Sequence, residues 1–518
     1  MPIRTAASLP LLLSLPAFAV ACLAVCYLSG HGLRAGLLNA DALYLPTLFD
    51  DLLARGGRLS DWYLTPAPYF FPDYPLYLAA YWLAPDAYGQ IIVFGVLQCA
   101  LLFAATIVLA RTLGSPAPLP CAACSLTLFA WLAASGREPF VLLLSNAWHF
   151  GSFLNALLLA AAWLRYRQTG ARSMLWTACA LACGATLSDS LFLLQAALPL
   201  ACVATAQVLL EPGRPSGRGA DWRRRLLPAW APLAAALLGH AGYEWVVTHP
   251  TRYQAEIDLG HLSANLRALS AIARGLWETL PLAVLGWLAC FALALACAAR
   301  LARRRVPFGL PPALAWLLVF WLVSLAGTLA VSLLVTSLPL AARYFIVAAC
   351  WPILLAPMAA AQRIGERRAP ALLLASAFAC TLGIGTVTLR QWQAHPLEYT
   401  YYPPDIACLD QALAGTGLHH GGVKHGIAQY WDAKPFQRFS RSGIVLAQHI
   451  ASLDELPWIT SGRYFRPAYD FALVGPDAPP PHHIPAARLE AINGAPAARV
   501  RCGAYTVLLY GHDLMKVH

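Results

Sequence analysis

Charge is scarce in this sequence. Lys, Arg, Asp and Glu make up 12% of its residues, about half the share of an ordinary soluble domain. No long polar stretch occurs before about residue 390, which excludes a soluble globule for most of the chain. No Walker or dinucleotide-binding glycine loop is present, so nothing supports a nucleotide-driven or nicotinamide-dependent enzyme. No Cys/His array has metal spacing, and no internal repeat is evident. No ionisable residue falls at an obvious bilayer midplane, where ion-coupled transporters place their sites.

Apolar runs of 18 residues or more fill the space that charge leaves, each long enough to cross a hydrocarbon core of about 30 Å. The first, Leu9 to Leu28, follows Arg4 and lacks a small-x-small cleavage site; it reads as an uncleaved first helix. The formal charge of +11 is carried in clusters. These are Arg165, Arg167 and Arg172; Arg214, Arg218 and Arg223 to Arg225; Arg300 and Arg303 to Arg305; and Arg363, Arg367 and Arg368. Each sits in a short loop between apolar runs, the positive-inside pattern. The basic excess is a topology signal rather than a nucleic-acid footprint.

Placing those clusters in the cytoplasm predicts a mainly α, polytopic membrane helix bundle of about 11 transmembrane helices. The spans are expected near 9–28, 87–111, 119–135, 141–164, 174–189, 191–210, 226–247, 279–299, 312–335, 345–362 and 370–389. The N-terminus is then cytoplasmic, and residues 1–390 form the membrane domain, with external loops at 31–86 and 248–276. Residues 391–518 are expected to form a small extracytoplasmic α/β domain, with a helix at Ile406–Leu413 and strands at Ile444–Leu446, Phe471–Val474 and Tyr505–Tyr510. Of the fourteen cysteines, all but Cys408 and Cys502 fall in apolar runs, and those two are placed to pair in a compartment that permits disulfides. Cys121 and Cys124 form a C-x-x-C inside a membrane helix, where packing is the simpler reading.

The loop 31–86 is acidic and aromatic, with Asp41, Asp50, Asp51, Asp61, Asp73 and Asp86 among rings such as Trp62, Tyr69 and Tyr77. Leu45, Leu48, Phe49 and Leu52 share one side of a helix, expected to lie in the membrane surface. The run Thr65 to Pro75 is expected to be an ordered interfacial loop. Ionisable groups in a membrane are costly and each needs a reason. Asp41, Arg137, Glu138, Asn146, His149, Asp189, Glu244 and Arg343 all fall at or just below the external edge, with Asn146 and His149 one to three turns inside the fourth span. A reaction centre at that membrane face is the expectation.

An acidic residue just after the first membrane helix, in a long loop with surface helices, resembles the C-type (GT-C) glycosyltransferase superfamily. The residues carrying the likeness are Asn39-Ala40-Asp41-Ala42-Leu43-Tyr44, the loop through Tyr77, and Arg343-Tyr344-Phe345 entering a late helix. The resemblance implies hexosyl or pentosyl transfer from a polyprenyl-phosphate-linked sugar to a glycan, lipid or protein acceptor, at the outer face of a bacterial inner membrane. It makes Asp41 the general base and Arg343 the lipid-phosphate contact. His149 and Asp189 are further catalytic candidates; Tyr344, Glu244, Asn146 and Tyr44 are candidate substrate contacts. No second acid stands beside Asp41 in a paired motif, so dependence on a divalent metal such as Mg or Mn stays open. The chemistry agrees: glycosyl transfer needs a carboxylate to take the acceptor's proton and a cation for the leaving phosphate, where a guanidinium can bind two oxygens.

Simpler readings stand beside each residue. Asp41 also reads as an N-cap, Asp189 as a turn or cap, His149 as a hydrogen-bonded packing residue and Arg343 as a snorkelling anchor. Glu244 has Arg252 or Arg274 as potential partners, and the aromatic loop is also suited to an interfacial belt. Alternative functions are a transporter or flippase, an envelope-glycan polymerase or ligase, and a non-catalytic assembly protein. A polymerase or ligase would place basic residues in a large late loop; a transporter would show repeats or broken helices, for which Pro199 and Pro352 are candidates.

Overall fold

The structure, a computed structural model, describes residues 8–30, 33–210, 221–250, 257, 259–335, 340–414, 424–476 and 483–517. Arg4, Arg214, Arg218 and Arg252 lie outside the described residues.

An apolar chain can satisfy its backbone polar groups away from water only within helices or closed sheets, and this one forms helices. In order they are α1 Ser8–Leu28, α2 Leu33–Leu37, α3 Tyr44–Ala54, α4 Asp73–Leu83, α5 Ala87–Thr112, α6 Pro118–Ala134, α7 Phe150–Thr169, α8 Arg172–Ser188, α9 Leu198–Leu210, α10 Asp221–Val246, α11 Leu262–Thr279, α12 Pro281–Ala302, α13 Pro312–Leu334, α14 Ile346–Ile364 and α15 Ala369–Ala394. Among the described residues six helices are long and apolar enough to cross a membrane: α5, α12, α13, α15, and the composite helices Leu193–Leu210 and Ala342–Ile364. Apolar helices Leu12–Leu28 and Pro118–Ala134 are shorter.

Small side chains bring the helices close. α6, rich in Ala and Cys, is wrapped by α1, α5, α14 and α15. α10 lies along α8, where a Cβ on Gly239 would fall 2.1 Å from the Cys183 carbonyl oxygen.

Three readings of the sequence need correction. The fourth span does not begin at 141: Phe140–Leu144 is a 3₁₀ turn, and the α-helix starts only at Phe150. Asn146 and His149 therefore precede the helix instead of lying inside it. α3 does not offer its apolar side to a membrane surface, because Leu45, Leu48 and Phe49 are buried with Trp62, Tyr77 and Phe94 inside the protein. The segment 248–276 is not simply a loop, since it holds most of the amphipathic α11.

The two ends of the bundle differ in chemistry. At one end Gln168 Nε2 donates to the Thr112 carbonyl (2.6 Å) and Gln362 Nε2 to that of Gly114 (3.1 Å). The Arg300 and Arg363 guanidinium groups both lie over the Phe308 ring, at 4.7 and 5.8 Å. These contacts draw several Arg-bearing turns together. The acidic and aromatic segments gather elsewhere, where β1 (Trp62–Leu64) pairs in parallel with β2 (His249–Pro250) and antiparallel with β5 (Thr460–Ser461). That three-stranded ribbon ties together segments from three distant parts of the chain.

The C-terminal segment contains α16 (Pro404–Ala414), α17 (Tyr430–Phe439), α18 (Ala486–Asn493) and a five-stranded sheet. Its order is β4 (Val445–Gln448), β3 (His425–Ala428), β6 (Phe471–Val474), β8 (Tyr505–Leu509), β7 (Ala498–Cys502), parallel across β4-β3-β6 and antiparallel beyond. Side chains alternate between faces with period two. Ala428, Leu446, Leu473, Val507 and Leu509 join the core that continues into the helices. Ile427, Val445, Ala447, Ala472 and Leu508 form a second cluster with Tyr469 and Met515. A disulfide joins Cys408 of α16 to Cys502 of β7. Arg438 of α17 and Arg55 both bind Asp50 Oδ2 at 2.8 Å, seating this segment on α3.

Candidate functional site

Asp41 sits in the turn before α3. Asn39 shapes that turn: its Oδ1 accepts from the Ala42 N–H (2.9 Å) and its Nδ2 donates to the Gly36 carbonyl (3.0 Å). The N-cap position of α3 is Leu43, with no side-chain cap, so capping does not account for Asp41. Its carboxylate faces two donors instead. The Tyr430 hydroxyl, from α17, donates to Oδ1, and Arg343 Nη1 stands 3.7 Å from Oδ2.

Arg343 lies on the 3₁₀ turn Ala342–Phe345 that opens α14. Gln195, on the π turn before α9, fixes that turn by donating to the Tyr344 carbonyl (2.7 Å), while Ser324 donates to the Gln195 carbonyl (2.6 Å). The guanidinium is flanked by the rings of Trp148 (5.0 Å) and Tyr344 (5.2 Å), so it is held by aromatic faces and an acid.

His149 and Asp189 form a buried pair, with Nδ1 2.7 Å from Oδ2. Ser152 Oγ donates to the same oxygen (2.5 Å), and the Leu191 N–H to Oδ1 (3.1 Å). An ionised carboxylate only accepts, which assigns the imidazole proton to Nδ1 and leaves Nε2 toward the Tyr69 hydroxyl at 3.4 Å. Asp189 thus both shapes the turn after α8 and orients His149. Tyr69 (φ 60°), Ala147 (φ 60°) and His149 (φ 65°) all adopt left-handed backbone, costly for residues with a Cβ. Such strain persists where surroundings enforce it, commonly at working sites. Here Ser188 anchors 69–71 through the Tyr69 and Phe71 N–H groups, and Asp73 Oδ1 accepts from the Ala147 N–H (3.0 Å).

These groups line one cavity of about 860 Å³, walled also by Tyr44, Thr65, His240, Tyr243, Glu244, Val331, Trp458 and Ile459. Seven of the eight residues singled out from sequence reach it: Asp41, Tyr44, His149, Asp189, Glu244, Arg343 and Tyr344. Asn146 does not; it is fully buried beside the site, and its amide has no hydrogen-bond partner in the described structure. Arg137 and Glu138 are exposed and stand apart. The sequence reading missed Tyr430, Trp458 and Ile459, which come from the C-terminal segment and carried no local signal. It also missed Trp148, although that residue adjoins His149.

Among the described residues that line the cavity, Arg343 is the only arginine or lysine. The donor set does not suit a divalent cation at Asp41, because both its oxygens face hydrogen-bond donors. The one group of three or more described His and carboxylate side chains whose ligand atoms converge is Asp470, His512 and Asp513, outside the cavity lining, and Arg466 lies 3.4 Å from Asp513.

Burial pushes the Asp73 carboxyl up to about 7, although the Ala147 N–H favours its charged form. An unfolded Asp titrates near 3.9. Between about pH 4 and 7 the folded chain therefore holds a proton that the unfolded chain has lost, so the stability this group contributes falls as pH rises through that window. Asp73→Asn, which keeps an acceptor for Ala147, is expected to melt progressively higher than wild type as pH rises from about 5 to about 8. Fluorescence-monitored unfolding in lipid nanodiscs checks this; a gap independent of pH would contradict it.

No protein-family model and no curated protein sequence matches the chain.

Proposed function

We propose that this chain is an integral-membrane glycosyltransferase of the C-type superfamily, moving a sugar from a polyprenyl-phosphate carrier to an acceptor at the extracytoplasmic face of a bacterial inner membrane. In this reading about 11 helices span the bilayer, with the Arg-bearing turns cytoplasmic and the cavity and C-terminal domain outside. The observation that carries it is the pairing of Asp41 with Arg343 (3.7 Å) in the wall of one cavity, the two residues coming from opposite ends of the membrane segment.

The chemistry follows from those two groups. Asp41 accepts the proton of the acceptor hydroxyl. The hydroxyl oxygen bonds to the anomeric carbon as the bond from that carbon to the phosphate oxygen breaks. The electron pair stays on the phosphate, which leaves as polyprenyl phosphate against Arg343. The Tyr69 ring in the cavity wall offers an apolar surface for a sugar ring. Arg343, the one guanidinium among the described lining residues, matches the charge of a monophosphate leaving group. His149, oriented by Asp189, holds Nε2 toward the Tyr69 hydroxyl and so fixes the wall against which the sugar binds.

The second reading is a flippase for a lipid-linked sugar. It is favoured by irregular turns near the cavity, the 3₁₀ turn Phe140–Leu144 before α7 and the π turn Leu193–Ala197 that opens α9, because irregular helices mark transport sites. Protein in bilayers, given a panel of polyprenyl-phosphate sugars and envelope extract, distinguishes the two by mass spectrometry. Transfer consumes one donor and frees its carrier, whereas flipping returns the donor intact.

A further inference from the structure

Asp41 is held from two sides, and only one of them belongs to the helical bundle. Arg343 stands opposite Oδ2. The other partner, the Tyr430 hydroxyl, arrives from residue 430 on the first turn of α17. Tyr430 is almost wholly buried. Burial and the neighbouring Asp41 charge push its hydroxyl well above the usual phenol range, so it remains a donor at any physiological pH.

The seat of that hydroxyl is built with unusual redundancy. The Lys434 ammonium lies 4.4 Å over the Tyr430 ring. Asp432, on the same first turn, accepts from Gln429 Nε2 (2.6 Å) and the Tyr505 hydroxyl (3.2 Å), tying the start of α17 to β8. Gln437 Oε1 accepts from the Leu446 N–H (3.0 Å), tying its far end to β4. Arg438 binds Asp50 at 2.8 Å, anchoring α17 to the helix that follows Asp41. The side chain bonded to Asp41 is thus fixed by both the C-terminal sheet and α3. A carboxylate on a short turn has no comparable anchor of its own.

We propose that Tyr430 is a positioning residue: its hydroxyl fixes the Asp41 carboxylate, which makes the C-terminal segment a working part of the reaction centre. It acts through Asp41 and need not touch substrate. This deepens the glycosyltransferase reading and rests on it for its effect on turnover, but not for its effect on Asp41 itself.

The test uses full-length protein in nanodiscs and compares wild type with Tyr430→Phe, which keeps the ring and its packing. The first readout needs no substrate: labelling of Asp41 by a carboxyl-selective diazo reagent, followed by peptide mass spectrometry. The Tyr430 hydroxyl occupies Asp41 Oδ1, and a carboxylate oxygen freed of that contact is open to the reagent, so Tyr430→Phe is expected to label at Asp41 about tenfold faster. Tyr464→Phe, which removes another buried phenol from the same segment, is expected to leave that rate unchanged. The second readout is turnover, where Tyr430→Phe is expected to lower kcat roughly tenfold to a hundredfold while donor KM stays within about threefold. Equal labelling in wild type and Tyr430→Phe overturns the proposal. So does a loss confined to KM. Faster labelling in a protein that turns over no donor upholds the contact and removes the enzyme reading instead.

Discussion

Asp41→Asn is expected to fold as wild type does and to slow sugar transfer by at least about a hundredfold. The amide keeps the shape of the carboxylate and still offers an oxygen to the Tyr430 hydroxyl, so the cavity is preserved. What disappears is the capacity to take a proton at the moment the acceptor oxygen attacks. General-base catalysis contributes about 10²–10⁴ in rate, and Asp41 is the carboxylate that stands beside Arg343 in the cavity wall. Asp189 cannot substitute, because its oxygens are taken up by His149, Ser152 and the Leu191 N–H. The loss is expected in kcat, with donor KM little changed, as for an interaction made in the transition state. Steady-state donor consumption, normalised to protein recovered as a single species, checks this; a variant within about threefold of wild type would remove Asp41 from the mechanism.

Arg343→Gln carries the second large effect, expected at about 10²–10³ in kcat/KM. The wild-type guanidinium stands between the Trp148 and Tyr344 rings with its charge turned to the cavity. A neutral amide there leaves the departing phosphate without its cation. Arg343→Lys separates this role from a simple interfacial anchor. Anchoring tolerates either long cationic side chain, whereas two-oxygen phosphate binding requires the planar fork. The lysine variant is expected to recover only part of the lost rate and to bind donor more weakly than wild type. Full activity in Arg343→Lys would restore the anchor reading.

The site was legible in sequence to the extent that burying polarity in an apolar helix is expensive. His149, Asp189, Glu244 and Arg343 stood out because each lies in or at the end of an apolar run, and Asp41 because it follows the first membrane helix; all five line the same cavity. Asn146 stood out on the same ground but lies buried beside the cavity. The break from Phe140 to His149 was invisible because Ser145, Asn146 and His149 are too few among its apolar residues to end a helical reading. Only the left-handed backbone at Ala147 and His149 and the Asp73 carboxylate that supports it mark the departure. α3 was read as membrane-facing since periodicity reports an apolar stripe without naming what covers it; here α4 and the aromatic loop cover it. The contribution of Tyr430 and Trp458 depended on docking nearly 390 residues away in sequence, which no local pattern records.

The most direct test of the account is a mass balance on transfer itself. Wild-type protein, Asp41→Asn and Arg343→Gln, reconstituted side by side in bilayers, would receive the polyprenyl-phosphate sugar that wild type consumes, together with envelope acceptor. The account predicts one free polyprenyl phosphate for each acceptor that gains one sugar mass in wild type, and loss of both products together in the two variants. Donor recovered intact on the opposite side of the membrane, or consumption indifferent to Asp41 and Arg343, would contradict it.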